Sequence, residues 1–302
     1  MIKIAVLLTC HNRKNKTLLC FQSLFESLDI YNNKKDNNIS IEIFLTDDGC
    51  TDGTADAVRI ICPENIDIHV LQGNGKLYWA GGMRLCWHEA LRHHGKWDYY
   101  LLLNDDTILM PNVFFELFNA YNYSLNKLGK EGIVSGITCA TDDLTKLTYG
   151  GDVIINHLLG TFRRLKPNGE PQQCDKTNAN ILLVPKSVVD KVGIFHDGFI
   201  HGHADTDYSV MVKRKGLPVL LTANFCGRCD NDHESKQELA KKILNMTLRE
   251  RKAYFSHPLH STSDYLLAIK RVAPLRLPIV WLGRMLNLYF PKLYYRINGI
   301  RS

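Results

Sequence analysis

The C-terminal 38 residues of the sequence, 265–302, contain no Asp or Glu. They contain seven Lys and Arg residues, so residues 1–264 carry a net charge of −1 within the total of +6. Because the excess positive charge is confined to this segment, the chain lacks the evenly basic character of a nucleic-acid-binding protein. We therefore expect no nucleic-acid partner.

The sequence also lacks an apolar run of the roughly 18 residues that a membrane-spanning helix requires. Its N-terminal apolar run is short and is followed at once by His11, Asn12 and Arg13, which does not match a secretory signal peptide. The nine cysteines are odd in number and scattered, which favours reduced thiols over a disulfide framework. These absences predict a cytoplasmic protein.

What is present is ordinary globular composition, since 45% of the 302 residues are apolar and 23% are charged. The first third alternates apolar strands with helical patterns: strands at 3–9, 41–45, 68–71 and 99–103, and helices at 16–28, 54–62 and 79–93. This order predicts a doubly wound α/β sheet with right-handed crossovers. The remainder predicts α+β structure in the same domain, with helices at 113–128, 204–215 and 234–255 and strands near 132–139, 146–155, 180–184 and 217–221.

Each of the four early strands ends in a polar cluster. The clusters are residues 9–13, 46–48, 73–76 and 104–106. Sheets of this type bind ligands at the carboxyl ends of their strands. We therefore expect the four clusters to share one ligand crevice.

Three acidic segments carry the chemistry. Adjacent carboxylates at Asp105 and Asp106 repel each other, and a hard divalent cation such as Mg²⁺ or Mn²⁺ removes that cost, although a simple turn before Pro111 is an alternative. Residues 46–54 (TDDGCTDGT) form either a ligand loop or an Asx-rich turn that caps the next helix. Residues 201–208 (HGHADTDY) place Asp205 and Asp207 at a helix start, either as first-turn acids or as a carboxylate general base.

In this order, the three segments resemble the inverting family 2 glycosyltransferases with the GT-A fold. TDDGCTDGT resembles their nucleotide loop, LLNDDT their metal-binding DXD segment, and ADTDY followed by KRKG their catalytic segment. Residues 73–83 (GNGKLYWAGGM) are similar to a variant of rhamnosyltransferase-like members. The resemblance covers about residues 3–233. It implies a GT-A catalytic domain over 1–264, with a nucleotide-sugar half (1–110) and an acceptor half (111–264).

The resemblance also implies roles for individual residues. Asp205 would be the catalytic base and Asp106 a metal ligand together with His233, with Mn²⁺ or Mg²⁺ as the cofactor. The remaining assignments are nucleotide-binding for Thr9, His11, Asn12, Arg13, Asp48, Gly75, Lys76 and Asp105, and donor- or acceptor-sugar-binding for Trp79, Arg84, His203 and Asp207. An alignment shifted by two residues would exchange Asp205 and Asp207. The partners implied are a nucleotide-sugar donor and a glycan or lipid-linked glycan acceptor.

Some positions depart from the family pattern. The chain has Ala204 where the family usually has Glu, and Arg84 and Cys86 where it often has Asn and Gly. Ala204 keeps open a catalytically dead sugar- or nucleotide-binding module. A nucleotidyltransferase also pairs acids with a metal, but it usually needs a glycine-rich loop that residues 9–16 lack.

The C-terminal extension, 265–302, combines bases with an apolar, aromatic run at 279–290. This composition suits the surface of an anionic membrane and predicts a peripheral location at the inner face of the cell membrane. The alternatives are a helix packed on the catalytic domain and a homodimer interface. The Cys226-x-x-Cys229 pair lacks a second pair at zinc-ribbon spacing, which favours free thiols.

Overall fold

The computed structural model describes residues 1–34, 38–93, 96–156, 160–231 and 234–300. The first part of the chain contains, in order, β1 (Ile2–Cys10), α1 (Lys14–Asn32), β2 (Ile39–Asp47), α2 (Thr54–Ile61), β3 (Ile68–Gln72), α3 (Tyr78–Arg92), β4 (Tyr99–Leu103), β5 (Ile108–Leu109) and α4 (Val113–Leu128). The rest contains β6 (Ile133–Cys139), β7 (Leu147–Tyr149), β8 (Gly151–Asn156), β9 (Thr161–Arg164), β10 (Gln172–Gln173), β11 (Lys176–Thr177), β12 (Ile181–Pro185), α5 (Lys186–Val192), α6 (Ala204–Arg214), β13 (Val219–Arg228), α7 (Lys236–Asn245), α8 (Leu248–Ser256), α9 (Thr262–Val272), α10 (Leu277–Tyr289) and α11 (Pro291–Ile297).

One large mixed sheet organises the fold. Its strand order is β10-β13-β6-β12-β4-β1-β2-β3, with β5 on β13 and β7 on β6. Strands β4, β1, β2 and β3 are parallel, whereas β12 lies antiparallel between β4 and β6. A separate small sheet has the order β11-β8-β9. The expected α/β class with an α+β second half is confirmed.

The central strands are apolar along their length because both faces of the sheet are covered. Ile4, Val6 and Leu8 of β1 belong to a core cluster with residues of α1 and α4, while Ala5 and Leu7 belong to a second cluster with residues of α3 and α6. Side chains of a strand alternate between faces, so neither face of β1 can be polar. The same argument explains β12, all five residues of which are buried.

The single helix expected over 234–255 is wrong. The structure has two helices, α7 and α8, separated at Met246, whose backbone is extended. Thr247 ends the continuity because its hydroxyl accepts the N–H of Glu250, and the Glu250 side chain accepts the N–H of Thr247. This reciprocal pair satisfies the first-turn donors of a new helix and so marks a start rather than an interior.

The segment after residue 264 packs on the rest of the chain through several contacts, among them an ion pair and an apolar cluster. Arg271 of α9 donates from Nε to Oδ1 of Asp207 on α6, at 2.8 Å. Tyr295 of α11 joins a small cluster with Ala240 and Ile243 of α7. A domain boundary at this point therefore stays a prediction. Within the ranges described above, no helix combines the length and apolarity needed to cross a bilayer.

Candidate active site

The carboxyl ends of β1 and β2 lie side by side and hold the first two polar clusters together. Cys10 is the register partner of Asp47. Beyond these residues, the His11 ring nitrogen Nδ1 lies 2.6 Å from the carbonyl oxygen of Asp48, and the Asn12 amide oxygen accepts the N–H of Thr51 at 2.7 Å. The predicted proximity of these clusters is thus observed.

Asp48 is buried and joins the second cluster to the third. Its Oδ1 accepts the N–H of Gly75 at 2.8 Å, and its Oδ2 accepts the N–H of Tyr78 at 2.9 Å. Gly49 and Gly75 both have left-handed backbones, and a Cβ on Gly49 would lie 3.0 Å from the Gly75 Cα. Asp48 therefore fixes the loop that carries Gly75 and the exposed Lys76, and its contact with a nucleobase stays a prediction.

Thr9 lies beneath the start of α3 rather than in open space. A side chain at Gly82 would collide with the Thr9 side chain, and the Gly82 carbonyl accepts the Thr46 hydroxyl at 2.8 Å. Glycine at 82 thus lets α3 approach the ends of β1 and β2 closely. The contact at Gly82 therefore fixes the distance between the N-terminal part of α3 and the ends of β1 and β2.

Asp105 and Asp106, after β4, have different surroundings. Asp105 is buried, and its carboxylate accepts the Thr17 hydroxyl at 3.2 Å and Arg13 Nη1 at 3.5 Å. Burial raises the pKa of Asp105 to about 6, although Arg13 opposes that shift. Asp106 is more open, with 19% of its side chain exposed against 8% for Asp105, and its Oδ2 accepts Arg13 Nη1 at 2.8 Å.

The donor atoms at this edge suit a hard divalent cation. Asp106 offers carboxylate oxygens towards the crevice, and Mg²⁺ and Mn²⁺ bind through one or two carboxylates together with substrate phosphates. The second metal ligand expected from the sequence, His233, lies outside the described residues. Cys229 lies beside Asp106, with 3.7 Å between its Sγ and Oδ1.

Trp79 and Arg84 are both on α3, but they face different neighbours. The Trp79 indole N–H donates to the Asn104 side chain at 2.8 Å, and its half-buried ring packs against Phe195 with centroids 5.4 Å apart. Arg84 donates to the Phe199 carbonyl at 2.7 Å. Burial lowers the pKa of Arg84. Arg84 thus anchors the 196–199 loop, and a role for either residue in sugar binding stays a prediction.

The two aspartates at the start of α6 are not equivalent. Asp205 is partly exposed, and its oxygens accept the N–H groups of Thr206 at 2.7 Å and Ala179 at 3.2 Å. Desolvation of the carboxyl group raises the pKa of Asp205, which makes its carboxylate a stronger proton acceptor. Asp207 is only 2% exposed and is paired with Arg271. Asp205 is therefore the better placed of the two to act as a base.

The residues before Asp205 shape the same wall. Ala204 is buried in the core, at the position where the family usually has Glu. His203 has a left-handed backbone, and its ring centroid lies 5.4 Å from that of Tyr265. Asp264 of the C-terminal segment accepts the N–H of His201 at 2.9 Å. Burial lowers the pKa of His201 to about 4, so its imidazole is neutral at pH 7.

Sequence reasoning missed several residues of this site. Thr17 and Asn104 were within segments recognised for other reasons, and Cys229 was considered only as part of a zinc pair. Asp264 is the last residue of the predicted catalytic domain and Arg271 was counted in the C-terminal extension, because nothing local in the sequence links either residue to positions 200–207. All nine cysteines are described, and all are free thiols.

The mixed sheet, with paired acids after β4 and an aspartate in the first turn of α6, has the architecture of the GT-A glycosyltransferase fold. Residues 5–158, just over half of the chain, match the family model for glycosyl transferase family 2. The chain therefore belongs to glycosyl transferase family 2.

One solved structure similar to this chain is the mannosyltransferase PcManGT from Pyrobaculum calidifontis, in complex with GDP-Man and Mn2+. The identity is 13% and the TM-score 0.50, and the match covers 95% of this chain and 70% of that one. This likeness concerns the fold. No curated protein sequence matches the chain.

Proposed function

We propose that the protein moves a sugar, with inversion, from a nucleotide-sugar donor to a hydroxyl group of a glycan or lipid-linked glycan. Family membership supports glycosyl transfer in general. The observation that carries the specific proposal is that an open Asp106 is paired with Arg13 at the strand edge, while the first turn of α6 carries a partly exposed Asp205.

The chain's own groups divide the work. Arg13 is a cation beside Asp106 and can pair with a diphosphate oxygen. Asp205 accepts the proton of the acceptor hydroxyl as that oxygen attacks the anomeric carbon from the face opposite the leaving group. Asp106 would hold Mn²⁺ or Mg²⁺, which when bound stabilises negative charge on the departing nucleoside diphosphate. One displacement inverts the anomeric carbon and needs no carboxylate nucleophile.

The donor proposed first is dTDP-rhamnose or another dTDP-deoxysugar, and a UDP-hexose is second. The first choice follows from the resemblance of residues 73–83 to rhamnosyltransferase-like members. The similar mannosyltransferase was solved with GDP-Man and Mn2+, so a GDP-sugar belongs in any donor panel. A nucleotidyltransferase, the rival chemistry, is disfavoured by the family match.

Thermal shift against nucleoside diphosphates and nucleotide sugars, with and without Mn²⁺ or Mg²⁺, tests the donor site. A ligand that binds only the folded protein raises its midpoint temperature. At a ligand concentration a hundred times Kd, the added free energy of unfolding is about 2.7 kcal/mol. We expect metal-dependent stabilisation by one base, loss of it in Asp106→Asn, and no loss in Asp142→Asn, whose carboxylate is on an exposed turn. A folded protein that no nucleotide stabilises would contradict the proposal.

Turnover separates the transferase from a dead binding module. The binding-module alternative rests on Ala204, which leaves Asp205 without the adjacent carboxylate of the family pattern. Donor hydrolysis or transfer that is abolished in Asp205→Asn, with nucleotide binding unchanged, supports catalysis. Tight donor binding without turnover on any acceptor favours the module.

The outer face of α10 and α11 supports a peripheral location at an anionic membrane. Ile279, Leu282, Phe290 and Ile297 are each more than 60% exposed, in a segment that has no acidic residue. Apolar side chains together with Lys and Arg are what binds a helix to the surface of anionic lipid. A homodimer that covers the same face is the competing occupant.

Flotation with vesicles tests this location in the full chain. We expect co-flotation with vesicles containing phosphatidylglycerol, not with pure phosphatidylcholine, and loss in the triple variant Ile279→Ser, Leu282→Ser, Phe290→Ser. The control is Ile60→Ser, which removes an equally exposed apolar side chain from α2. Protein that stays in the dense fraction but has twice the monomer mass by light scattering favours the dimer.

A further inference from the structure

A cavity of about 400 Å³ lies between the small sheet β11-β8-β9 and helix α9. We call it the basic cavity. Its walls come from three places: the small sheet, the first turn of α6, and the face of α9 that continues into the turn at 274–276. The residues that matter here are Asp152, Arg164, Lys176, His203, Tyr265 and Arg276.

The basic cavity opens beside the proposed base. His203 and Thr206, which flank Asp205 in the chain, both line it. So do Thr177 and Asn178, which immediately precede Ala179, the donor of an N–H to the Asp205 carboxylate. Asp205 is not itself a lining residue, and the cavity therefore lies beside the 203–206 segment that carries the proposed base rather than directly against its carboxylate.

The cavity has more positive than negative charge. Asp152 is its one carboxylate among the described lining residues, and it is shared by Arg164 Nε at 2.6 Å and Lys176 Nζ at 3.4 Å. No carboxylate of the described chain lies within ion-pair distance of Arg276. One acid thus faces three cations, and Asp152 pairs with two of them while Arg276 has no carboxylate partner in the described chain; this excess of positive charge favours binding of an anion.

Arg276 approaches the backbone of Gly160 closely. A side chain at Gly160 would collide with the Arg276 guanidinium. Gly160 has a left-handed backbone, which suits glycine at this approach. A guanidinium that lines the cavity and that no described carboxylate pairs with matches the geometry of phosphate oxygens.

The wall of α9 is apolar and includes one aromatic ring. Ala268, Ile269 and Val272 line it together with Tyr265. The Arg284 guanidinium lies 4.3 Å from the centre of the Tyr265 ring. A carbon skeleton packed on this wall would place its charged end near Arg276 and Lys176.

We propose that the basic cavity is the acceptor site and that it selects acceptors carrying a phosphate group. The phosphate is held by Arg276 and Lys176, and the sugar or lipid carbons lie on the α9 wall. This inference rests on the proposed function, because only a transferase needs an acceptor beside Asp205. The phosphate could belong to a soluble glycosyl phosphate or to a lipid-linked sugar, and the two are separated by the probes below.

Binding of a hexose 1-phosphate, measured by titration calorimetry in metal-free buffer with EDTA, tests the site. The uncharged methyl hexoside is the matched ligand control, and a short-chain isoprenyl-diphosphate sugar is the lipid arm. We expect phosphate-dependent binding that weakens about tenfold or more in Arg276→Gln and in Lys176→Gln, since each removes a charged hydrogen bond. Arg163→Gln, which removes an exposed cation from the same strand as Arg164 without lining the cavity, should bind as the native protein does.

The outcomes are distinct. Arg276-dependent binding of both probes supports the site with a phosphate from either source, and such binding of the isoprenyl probe alone supports it with a lipid source. Equal affinity for methyl hexoside and hexose 1-phosphate, or binding that ignores Arg276→Gln, overturns the inference. Metal-dependent nucleotide binding is measured in the same samples. If nucleotide binds but binding of hexose 1-phosphate does not depend on Arg276, this inference is refuted and the proposed function is not.

Discussion

Substitution of Arg271 by Ala tests whether α9 is an integral part of the catalytic domain. The Arg271 guanidinium pairs with Asp207 at 2.8 Å, and the side chains are 27% and 2% exposed. Loss of one partner of a buried pair costs about 3–5 kcal/mol, because the remaining charge is left without compensation. Since Arg271 keeps contact with solvent, we expect a loss near the lower end, about 3 kcal/mol.

The assay is urea unfolding at pH 7 followed by tryptophan fluorescence. Truncation isolates the side chain, because the Arg271 carbonyl that accepts Arg214 at 2.5 Å is unchanged. Lys270→Ala is the matched control on an exposed neighbour and should change the free energy of unfolding by less than about 0.5 kcal/mol. Adding Asp207→Asn to Arg271→Ala should recover part of the loss, since it removes the buried charge.

The reasoning is refuted if Arg271→Ala and Lys270→Ala have equal free energies of unfolding. It is also refuted if Asp207→Asn makes the Arg271→Ala variant less stable by the full amount it costs the native protein. Either result would mean that the ion pair does not hold α9 on α6.

Two further perturbations test local packing and pH dependence. Gly82→Ala should destabilise the protein by about 1–3 kcal/mol, because the new methyl group collides with Thr9. Gly81→Ala in the same helical turn meets the Leu77 side chain at 3.3 Å and Arg84 Nη2 at 3.8 Å and should be nearly neutral; equal midpoints in chemical unfolding would contradict this. The depressed pKa of His201, about 4 against about 6.5 in an unfolded chain, means that the unfolded state takes up a proton that the folded state refuses between those values. Stability should therefore fall by up to about 3 kcal/mol as pH drops from 7 to 4, and His201→Gln should lack that part of the slope; parallel pH profiles of the two proteins would show that His201 contributes nothing.

The parts of the fold that the sequence predicts well are those with local causes. Helix α4 has the predicted bounds, 113–128, since its apolar pattern and the following Gly129 are adjacent in the chain. The parallel strands are found where predicted because burial on both faces makes each one a continuous apolar run. The location of β9 was not predicted, because all four of its residues are exposed and the segment (TFRR) has no alternation of apolar and polar side chains.

The candidate site divides in the same way. That the strand-end clusters meet follows from the order of parallel strands alone. Which group each carboxylate contacts does not, because Asp48 accepts the N–H of Tyr78 and Asp207 pairs with Arg271, contacts that join residues 30 and 64 positions apart. No periodicity or motif encodes such pairs, and the packing of α9 against the start of α6 was therefore missed.

The two contacts that hold residues 200–207 have a consequence for folding during synthesis. Asp264 binds the backbone of His201, and Arg271 binds Asp207, at separations of 63 and 64 residues. Chains emerge from the ribosome N-terminal end first, so β1 to β3 can pair early, whereas the wall that carries Asp205 has no fixed position until α9 has emerged. Nascent chains that end before Arg271 would thus contain paired strands β1 to β3 while the start of α6 has no fixed position. The strand-end clusters and the segment that carries Asp205 would acquire their final geometry at different times during synthesis.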